Sequence, residues 1–374
     1  MTTAEPHSLS EYEALLRADF ASFAQYCFHE LNPRSQLTLS WFHEIIAAQL
    51  ETVRAGRSRR VIINMPPRHL KSHLAPVCFP AWCLGHDPSA QILCASYARD
   101  LADKLSRDCR QIVASAWYRQ LFTTRLSAQR QAVSEFETTA QGCRLATSVG
   151  GVLTGRGANM IIIDDPLKPE GALSQVQRQA ANDLTTPFTA GSTTPAARAI
   201  IVIMHRLHED DLADHVMVQE DWDVVRFPAI VEEDEMWALD NDLGQFVFTR
   251  QHGEALHPER QSLATLDQIR RTIGEYNFAC QYQQAPAPQG GGMTKAVWFR
   301  SYAPNERPEK FDQIVQSWDT ANKASKLSGF SVCTSWGIKG KDLYLLHVLR
   351  KRMEYPELKA RSASNARPSQ RMSR

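Results

Sequence analysis

The sequence of 374 residues predicts an α/β fold in which helices flank a parallel β-sheet. Two observations support this prediction. Short β-rich segments alternate with helical segments over residues 61–228, which is the rhythm of consecutive βα units. Several of the β-rich segments are apolar throughout, as strands buried on both faces must be. The composition, with 43% apolar and 22% charged residues, is that of a globular protein and excludes disordered, collagenous and coiled-coil classes.

The elements follow one another in order along the chain. Residues 9–53 are predicted to be helical, because apolar positions recur at spacings of three and four. The predicted strands that follow are 61–65, 91–96, 160–164, 199–204 and 224–228. One predicted helix begins at residue 71, and three others cover 98–113, 173–183 and 209–218.

A second unit is predicted after the Pro- and Gly-rich stretch 285–292, which has the composition of a linker. Segments 314–318, 330–336 and 343–348 are predicted to be successive strands that begin a mixed sheet. Three strands do not close such a domain, so we expect the second unit to be cut short. The predicted organisation is a helical segment (1–55), a first domain (56–285), a linker (286–312), a truncated domain (313–360) and a basic tail (361–374).

Charge and cysteine usage narrow the class of protein. The net charge is only +1, but residues 350–374 carry eight Lys or Arg against two Glu, a composition that suits contact with a polyanion. Eight scattered cysteines without a Cys-x-x-Cys pair indicate buried thiols in a reducing compartment. The sequence shows no signal-peptide core and no apolar stretch of membrane-spanning length. We therefore expect a soluble, intracellular protein with no membrane partner.

The first chemical signal is a strand at 61–65 that runs into a turn and then into Lys71 and Ser72. In a nucleotide site of this layout, backbone N–H groups and the lysine contact the phosphates, and the serine hydroxyl ligates Mg²⁺. Met65 and Leu70 stand where the standard loop has glycines. By itself the segment therefore fits a phosphate loop and an ordinary surface turn about equally well.

The second signal is the apolar strand 160–164, which ends in Asp164 and Asp165. Ligands of parallel sheets bind at the carboxyl ends of the strands, where both carboxylates would lie. Asp164 could hold the Mg²⁺ shell, and Asp165 could orient or deprotonate the attacking water. A solvated Asp-Asp-Pro turn is the plain alternative. The Lys-Ser turn upstream favours the nucleotide site.

A third strand, 199–204, ends in His205 and Arg206, where side chains could sense a γ-phosphate. His205 and His208 followed by three acidic residues suggest a metal site, but their spacing matches no standard ligand set. Residues 209–211 fit the capping of a helix N-terminus better.

The chain resembles the large terminase subunit of tailed bacteriophages, the motor that packages DNA into the capsid. The resemblance covers about residues 15–360. It rests on MPPRHLKS (65–72), ARDLADKLSRDCR (98–110), GRGANMIIIDDP (155–166), IIVIMHRLHEDDL (200–212), the segment 253–293 and SWDTANKASKLSGFSVCTSWG (317–337). The Tyr-Gln-Gln-Ala stretch within 253–293 is especially specific, because no general phosphate-loop chemistry requires it.

The resemblance implies an N-terminal ATPase with a phosphate-loop fold that couples ATP hydrolysis to DNA translocation. It implies ATP and Mg²⁺ as cofactors, and Arg68 as a cation for the charge that develops on the γ-phosphate. It further implies catalytic roles for Asp165 and Arg206. The implied partners are double-stranded DNA, a small terminase subunit, a portal protein and further copies of the chain, in the cytoplasm of a bacterial host. The implied nucleotide-binding residues are Pro67, Arg68, His69, Lys71, Ser72 and Asp164, of which Ser72 and Asp164 also hold the metal.

The resemblance also implies a C-terminal RNase H-like nuclease that uses two metal ions. Asp319, after the strand 314–318, matches its first metal-binding carboxylate. Gly329 stands where related sequences commonly have an aspartate, and the family's later carboxylates would lie past the end of this chain. Residues 185–197 are Thr-, Ala- and Pro-rich where relatives carry an arginine-bearing segment. These departures predict a prophage-derived protein with an incomplete nuclease.

Two alternatives stay open at the level of sequence. A helicase-like DNA translocase would share the ATPase motifs but would have no use for Asp319 or the Tyr-Gln-Gln-Ala stretch. A non-functional prophage remnant would neither fold fully nor turn over ATP. The adenine contact is not readable, and Gln36, Trp41 and Phe42 are only candidates for it.

Overall fold

The computed structural model describes residues 9–151, 158–185, 199–241, 244–286, 300, 302, 307–320, 331–351 and 359. The chain divides into two units, Met1–Gly292 and Met293–Arg374. Most of the predicted linker, most of the segment 185–197, Gly329 and the tail 361–374 lie outside the described residues.

The N-terminal helical segment consists of three helices: α1 (Leu9–Ala18), α2 (Phe20–Leu31) and α3 (Trp41–Arg54). Asp19 begins α2, and its carboxylate accepts a hydrogen bond of 2.6 Å from the Ser22 N–H. Such a cap satisfies one of the N–H groups that a helix start leaves unpaired. Phe20 and Phe23 of α2 are fully buried, so these helices pack on the main core of the first unit.

The first unit is built on an eight-stranded sheet in the order β3-β4-β5-β2-β6-β7-β1-β8. The six strands from β5 to β8 in this order run parallel, and β3 and β4 are antiparallel additions at one edge. The strands are β1 (Arg60–Asn64), β2 (Gln91–Ser96), β3 (Leu126–Ala132), β4 (Glu135–Thr138), β5 (Cys143–Ser148), β6 (Met160–Asp164), β7 (Ala199–Met204) and β8 (Asp223–Arg226). The predicted α/β fold with a parallel sheet is confirmed, and β3, β4 and β5 are additions to it.

Helices cover both faces of this sheet. Val61 and Ile63 of β1 belong to the core cluster on one face, whereas Ile62 belongs to the cluster on the other face. Side chains of a strand alternate between its two faces, so a strand covered on both sides must be apolar at every position. The helices after β1 are α4 (Lys71–His73), which continues through a π-helical segment (Leu74–Cys78) into α5 (Phe79–His86), then α6 (Arg99–Ala114), α7 (Ala116–Leu121), α8 (Gln175–Asn182) and α9 (Leu212–Met217).

A hairpin and two helices complete the described part of the first unit. The strands β9 (Glu235–Asn241) and β10 (Gly244–Arg250) pair antiparallel. Trp41 of α3 contacts the Phe248 ring of the hairpin at a centroid distance of 6.0 Å. The helices α10 (Leu263–Ile273) and α11 (Glu275–Gln281) follow, and their Leu266 and Phe278 pack with Ala229, Ala255 and Tyr282 in a small core.

The described part of the second unit is a three-stranded sheet of β11 (Gln313–Asp319), β12 (Ser331–Lys339) and β13 (Asp342–Lys351). β12 pairs antiparallel with both β11 and β13, and the prediction that these strands begin a mixed sheet stays a prediction. Asp319 is the last residue of β11 and lies opposite Val332. Across the described residues of both units, none of the helices combines the length and the apolar character needed to span a bilayer.

Candidate nucleotide-binding site

The loop between β1 and α4 begins at the carboxyl edge of the sheet. The Met65 N–H donates to the Met204 carbonyl at 3.3 Å, which ties the first loop residue to the end of β7. Arg68 and Leu70 then adopt left-handed backbone conformations, with φ of 65° and 62°. Glycine takes this conformation without strain, whereas other residues pay a steric cost. Residues 65–70 therefore make a turn without any glycine at the position of the predicted phosphate loop.

Lys71 lies inside the site, with 5% of its surface exposed. Its Nζ is 2.8 Å from Oδ2 of Asp165 and 3.0 Å from Nδ1 of His205. Burial alone would raise the pKa of Asp165, but the Lys71 ammonium and His205 outweigh it and hold that pKa well below its usual range. Asp165 is therefore ionised at neutral pH and paired with the loop lysine.

The backbone of Asp165 is fixed from both neighbouring strands. Its φ is 41°, its N–H donates to the Ile203 carbonyl at 3.0 Å, and its carbonyl accepts from the Tyr97 N–H at 3.2 Å. The His205 N–H donates to Oδ1 of Asp165 at 3.1 Å. The ends of β2, β6 and β7 thus hold this carboxylate in one orientation, facing the loop.

Ser72 and Asp164 form a second polar pair beside the first. The Ser72 hydroxyl donates to Oδ1 of Asp164 at 3.0 Å. Asp164 is fully buried, and within the described residues its Oδ2 has no hydrogen-bond partner. Burial, together with the charge of Asp165, raises the pKa of Asp164 to about 7. A hydroxyl and a carboxylate with a spare oxygen are the ligands that Mg²⁺ takes in such sites, so these residues fit the ion.

Arg206 is bound by acidic residues at the start of α9. Its Nε donates to both carboxylate oxygens of Asp211, at 2.9 and 3.0 Å, and its Nη2 contacts Asp214. Burial would lower the pKa of Arg206, but both carboxylates raise it above its usual value. Asp211 also caps α9 by accepting from the Ala213 N–H at 3.2 Å. The prediction that Asp211 caps a helix N-terminus is confirmed, and the Arg206 guanidinium binds the same carboxylate.

His69 supports the loop from beneath. It is 2% exposed, its Nδ1 lies 2.9 Å from the Pro67 carbonyl, and burial lowers its pKa to about 4. The ring packs against Phe42 and His257, with centroids 5.7 and 6.0 Å away. A buried neutral imidazole in these surroundings fixes the loop. Arg68, in contrast, is solvent-exposed.

The candidates for the adenine contact have different surroundings. Phe42 is fully buried under the loop, and Trp41 packs against the β9–β10 hairpin and Phe227. Gln36 is exposed. A ring that stacks on adenine must present one face to the ligand, and the buried Phe42 is in contact with protein instead. Any adenine contact by Gln36 or Trp41 stays a prediction.

Sequence reasoning gave no role to Gln284, which contacts the site, whereas its neighbours Tyr282 and Gln283 bond Ala229 and Ile230 instead. Tyr282, Gln283 and Gln284 lie at the end of α11, and the Gln284 Oε1 accepts a hydrogen bond of 3.0 Å from the Arg206 N–H. The signal was present in the sequence, because the Tyr-Gln-Gln-Ala stretch is specific and unexplained by phosphate chemistry.

Asp319 belongs to the second unit and is exposed at the end of β11. Among the residues that the structure describes, no group of three or more His, Cys, Asp or Glu could hold a metal ion. The metal-binding role of Asp319 stays a prediction that rests on the resemblance.

The parallel sheet, the Lys-Ser loop after β1 and the paired aspartates at the end of β6 define a fold of the phosphate-loop nucleoside triphosphatase class. A family model, described as the N-terminal part of the T4likevirus-type terminase large subunit, matches residues 62–276. This match spans more than half of the chain, so the chain belongs to the terminase large subunit family. A comparison with curated proteins gave no match.

Solved structures of terminases are similar to this chain at low identity. The large terminase of bacteriophage HK97 aligns with a TM-score of 0.43 and 14% identity, over 94% of this chain and 71% of that one. The large terminase of a thermophilic bacteriophage, in complex with ADP, aligns with a TM-score of 0.35 and 10% identity, over 86% and 74%. The same thermophilic phage protein in complex with ATP-gamma-S gives 0.32 and 8%, over the same shares. The family assignment rests on the sequence match.

Proposed function

We propose that this terminase large subunit is the ATP-driven motor that packages viral DNA. The observation that carries the proposal is the contact of Lys71 with Asp165 and His205, which joins the ends of β1, β6 and β7 at one point. Lys71 and Asp165 match the family's loop lysine and its second strand-end carboxylate, and the family match covers both positions.

The loop and the adjacent pair supply the binding functions. Lys71 reaches the β- and γ-phosphates as ATP enters, with the N–H groups of residues 68–72 around them. Ser72 and Asp164 would hold Mg²⁺, which neutralises phosphate charge when it is bound. Pro67 and His69 shape the turn that presents these groups.

Asp165 acts on the attacking water. When Lys71 turns to the phosphates, Asp165 loses its ammonium partner and becomes a better proton acceptor, while the His205 N–H keeps its carboxylate oriented. Arg68 lies on the exposed side of the loop, free to approach the γ-phosphate as negative charge develops there. Arg206, held by α9, connects this site with the helix that follows β7.

Two substitutions test the assignment. We expect Lys71→Ala to weaken ATP binding, because it removes the cation for the β- and γ-phosphates. Asp165→Asn should retain binding and lower kcat by about 10²- to 10⁴-fold, since the carboxylate acts on water during the reaction. Both are measured by calorimetric ATP binding and steady-state hydrolysis. Lys104→Ala, at an exposed lysine of α6 paired with Asp108, is the matched control and should behave as wild type. Wild-type hydrolysis in both site variants would refute the assignment.

The partners that we propose follow from membership of the terminase large subunit family. They are double-stranded DNA, a small terminase subunit, a portal protein and other copies of this chain, in the cytoplasm of a bacterial host. The family's endonuclease is a separate proposal, with Asp319 as its metal-binding carboxylate.

A further inference from the structure

The Tyr-Gln-Gln-Ala stretch at the end of α11 buries two neutral amide side chains. Gln283 is 8% exposed and Gln284 is 1% exposed. A buried amide group costs free energy unless its donors and acceptors are paired, so its partners show what the side chain holds in place. The two glutamines are adjacent in sequence but hold different parts of the protein.

Gln284 holds the peptide that follows His205. Its Oε1 accepts from the Arg206 N–H at 3.0 Å, and its Nε2 donates to the Gln281 carbonyl at 2.6 Å. The side chain therefore bridges the end of α11 and the residue after β7. His205, one residue earlier, contacts both Asp165 and Lys71. A single peptide bond separates the contact with Gln284 from the group that orients the Asp165 carboxylate.

Gln283 holds a different segment. Its Oε1 accepts from the Ile230 N–H at 2.9 Å, and its Nε2 donates to the Ile230 carbonyl at 2.8 Å. Ile230 follows β8, and neither bond involves His205, Arg206 or Asp165. The neighbouring glutamine is thus a matched reference, with the same side chain and nearly the same burial.

The end of α11 is itself firmly anchored. The Tyr282 ring stacks on Phe278 with centroids 5.2 Å apart and an interplanar angle of 4°. The Tyr282 carbonyl accepts from the Ala229 N–H at 2.7 Å. Because the Arg206 side chain is fixed separately by Asp211, the Gln284 bond determines the position of its backbone rather than of its guanidinium.

We propose that Gln284 is a positioning residue for ATP hydrolysis: it fixes the Arg206 peptide, and so sets His205 against Asp165. This inference rests on the proposed ATPase function and deepens it. Gln284 touches neither phosphate nor water, so its loss should act on the chemical step and leave ground-state ATP binding intact. A displacement of about 1 Å of a group that orients the reaction can lower the rate by about 10²-fold.

The experiment compares kcat, ATP affinity and melting temperature for four variants of the full chain. Gln284→Met keeps the volume and removes the acceptor, and Gln284→Asn withdraws the acceptor by one methylene. For both we expect kcat to fall about 10- to 100-fold, with ATP affinity within about threefold of wild type. Gln284→Glu retains an acceptor for the Arg206 N–H. Because burial favours the protonated acid, it also keeps a hydroxyl donor for the Gln281 carbonyl, and it should restore most of kcat. Gln283→Ala should lower the melting temperature at nearly wild-type kcat.

The outcomes separate the inference from the function on which it rests. Wild-type protein that neither binds nor hydrolyses ATP would refute the proposed function. An active wild type together with folded Gln284→Met or Gln284→Asn at normal kcat would refute the positioning role. An equal loss of kcat in Gln283→Ala would show a general structural effect and also refute it. If Gln284→Met does not fold, the two remaining Gln284 variants decide. A low kcat in Gln284→Asn together with a restored kcat in Gln284→Glu supports the positioning role. Any other combination of the two kcat values refutes it.

Discussion

The buried pair of Lys71 and Asp165 gives a prediction about stability that does not depend on any assay of activity. Nζ and Oδ2 are 2.8 Å apart, and the two side chains are only 6% and 16% exposed. Breaking such a pair by removing one partner leaves an uncompensated buried charge, which costs more than the intact pair contributes. The relevant quantity is therefore the coupling between the two residues.

We expect Lys71→Met and Asp165→Asn to lower the free energy of unfolding by ~3 and ~2 kcal/mol, because each strands the charge of the other. The Asp165→Asn cost is smaller, since the Lys71 ammonium still has the neighbouring Asp164 carboxylate, on whose pKa it acts. In the double variant neither charge is left without its partner, and we expect its free energy of unfolding to fall by ~3 kcal/mol. The two single losses add up to ~5 kcal/mol, so the coupling energy between the two residues is ~2 kcal/mol.

The measurement is urea unfolding of the four proteins without nucleotide or metal, followed by circular dichroism and tryptophan fluorescence. The measurement is made at pH 8, where Asp164, with its pKa of about 7, is largely ionised. A depressed carboxylate pKa contributes stability above the pKa of the unfolded chain, and that stability is lost only as the pH falls towards the folded value. Additivity within ~0.5 kcal/mol would show that the two groups do not interact in the folded protein, and the reasoning would fail.

Three further predictions concern Asp164, DNA and the second unit. Because the folded pKa of Asp164 is about 7, its stabilising contribution is full at low pH and is lost as the pH rises through that value. In EDTA, a shift from pH 8 to pH 6 should therefore raise the free energy of unfolding by about 1 kcal/mol more in wild type than in Asp164→Asn, and equal shifts would contradict this. Double-stranded DNA should stimulate ATP hydrolysis and bind with a steep salt dependence, and an unchanged salt slope after deletion of 361–374 would place the contact on the rest of the chain. Any cleavage of supercoiled plasmid with Mg²⁺ or Mn²⁺ should vanish in Asp319→Ala, and its persistence would exclude Asp319 as the metal ligand.

The central strands could be predicted because their sequences allow little else. Predicted strands 91–96, 160–164 and 199–204 coincide with β2, β6 and β7, each a short, largely apolar run. By contrast, β3 reads Leu-Ser-Ala-Gln-Arg-Gln-Ala and is largely exposed. Such a segment becomes a strand by pairing with β4, a contact that local sequence does not encode. The β9–β10 hairpin was missed, although its strands carry the apolar runs Met236–Leu239 and Phe246–Phe248.

The sequence predicts which strand ends carry the site residues, but it does not predict which side chains contact one another there. The loop with Lys71 and Ser72 and the pair Asp164–Asp165 each follow an apolar strand, so sequence placed them at one edge of the sheet. Which side chains meet there depends on strand order: β7 lies between β1 and β6 and so brings His205 to Lys71, 134 positions apart. The contacts of Gln284 depend on chain reversals after β8, which no local pattern records.

The turn that carries Leu70 and Arg68 has a consequence for how the loop behaves over time. A glycine at either position would relieve the steric cost of a left-handed backbone, about 1–2 kcal/mol per residue. The same glycine would give the unfolded chain more freedom to lose on folding, at a comparable cost of roughly 0.5–1 kcal/mol. A turn built from Pro66, Pro67 and branched or bulky residues can sample few shapes, so the amide groups around a phosphate are arranged before it arrives. The loop of this chain thus carries backbone strain where a glycine-rich loop would be flexible. Because its conformation is restricted before the phosphate binds, little rearrangement is needed on binding.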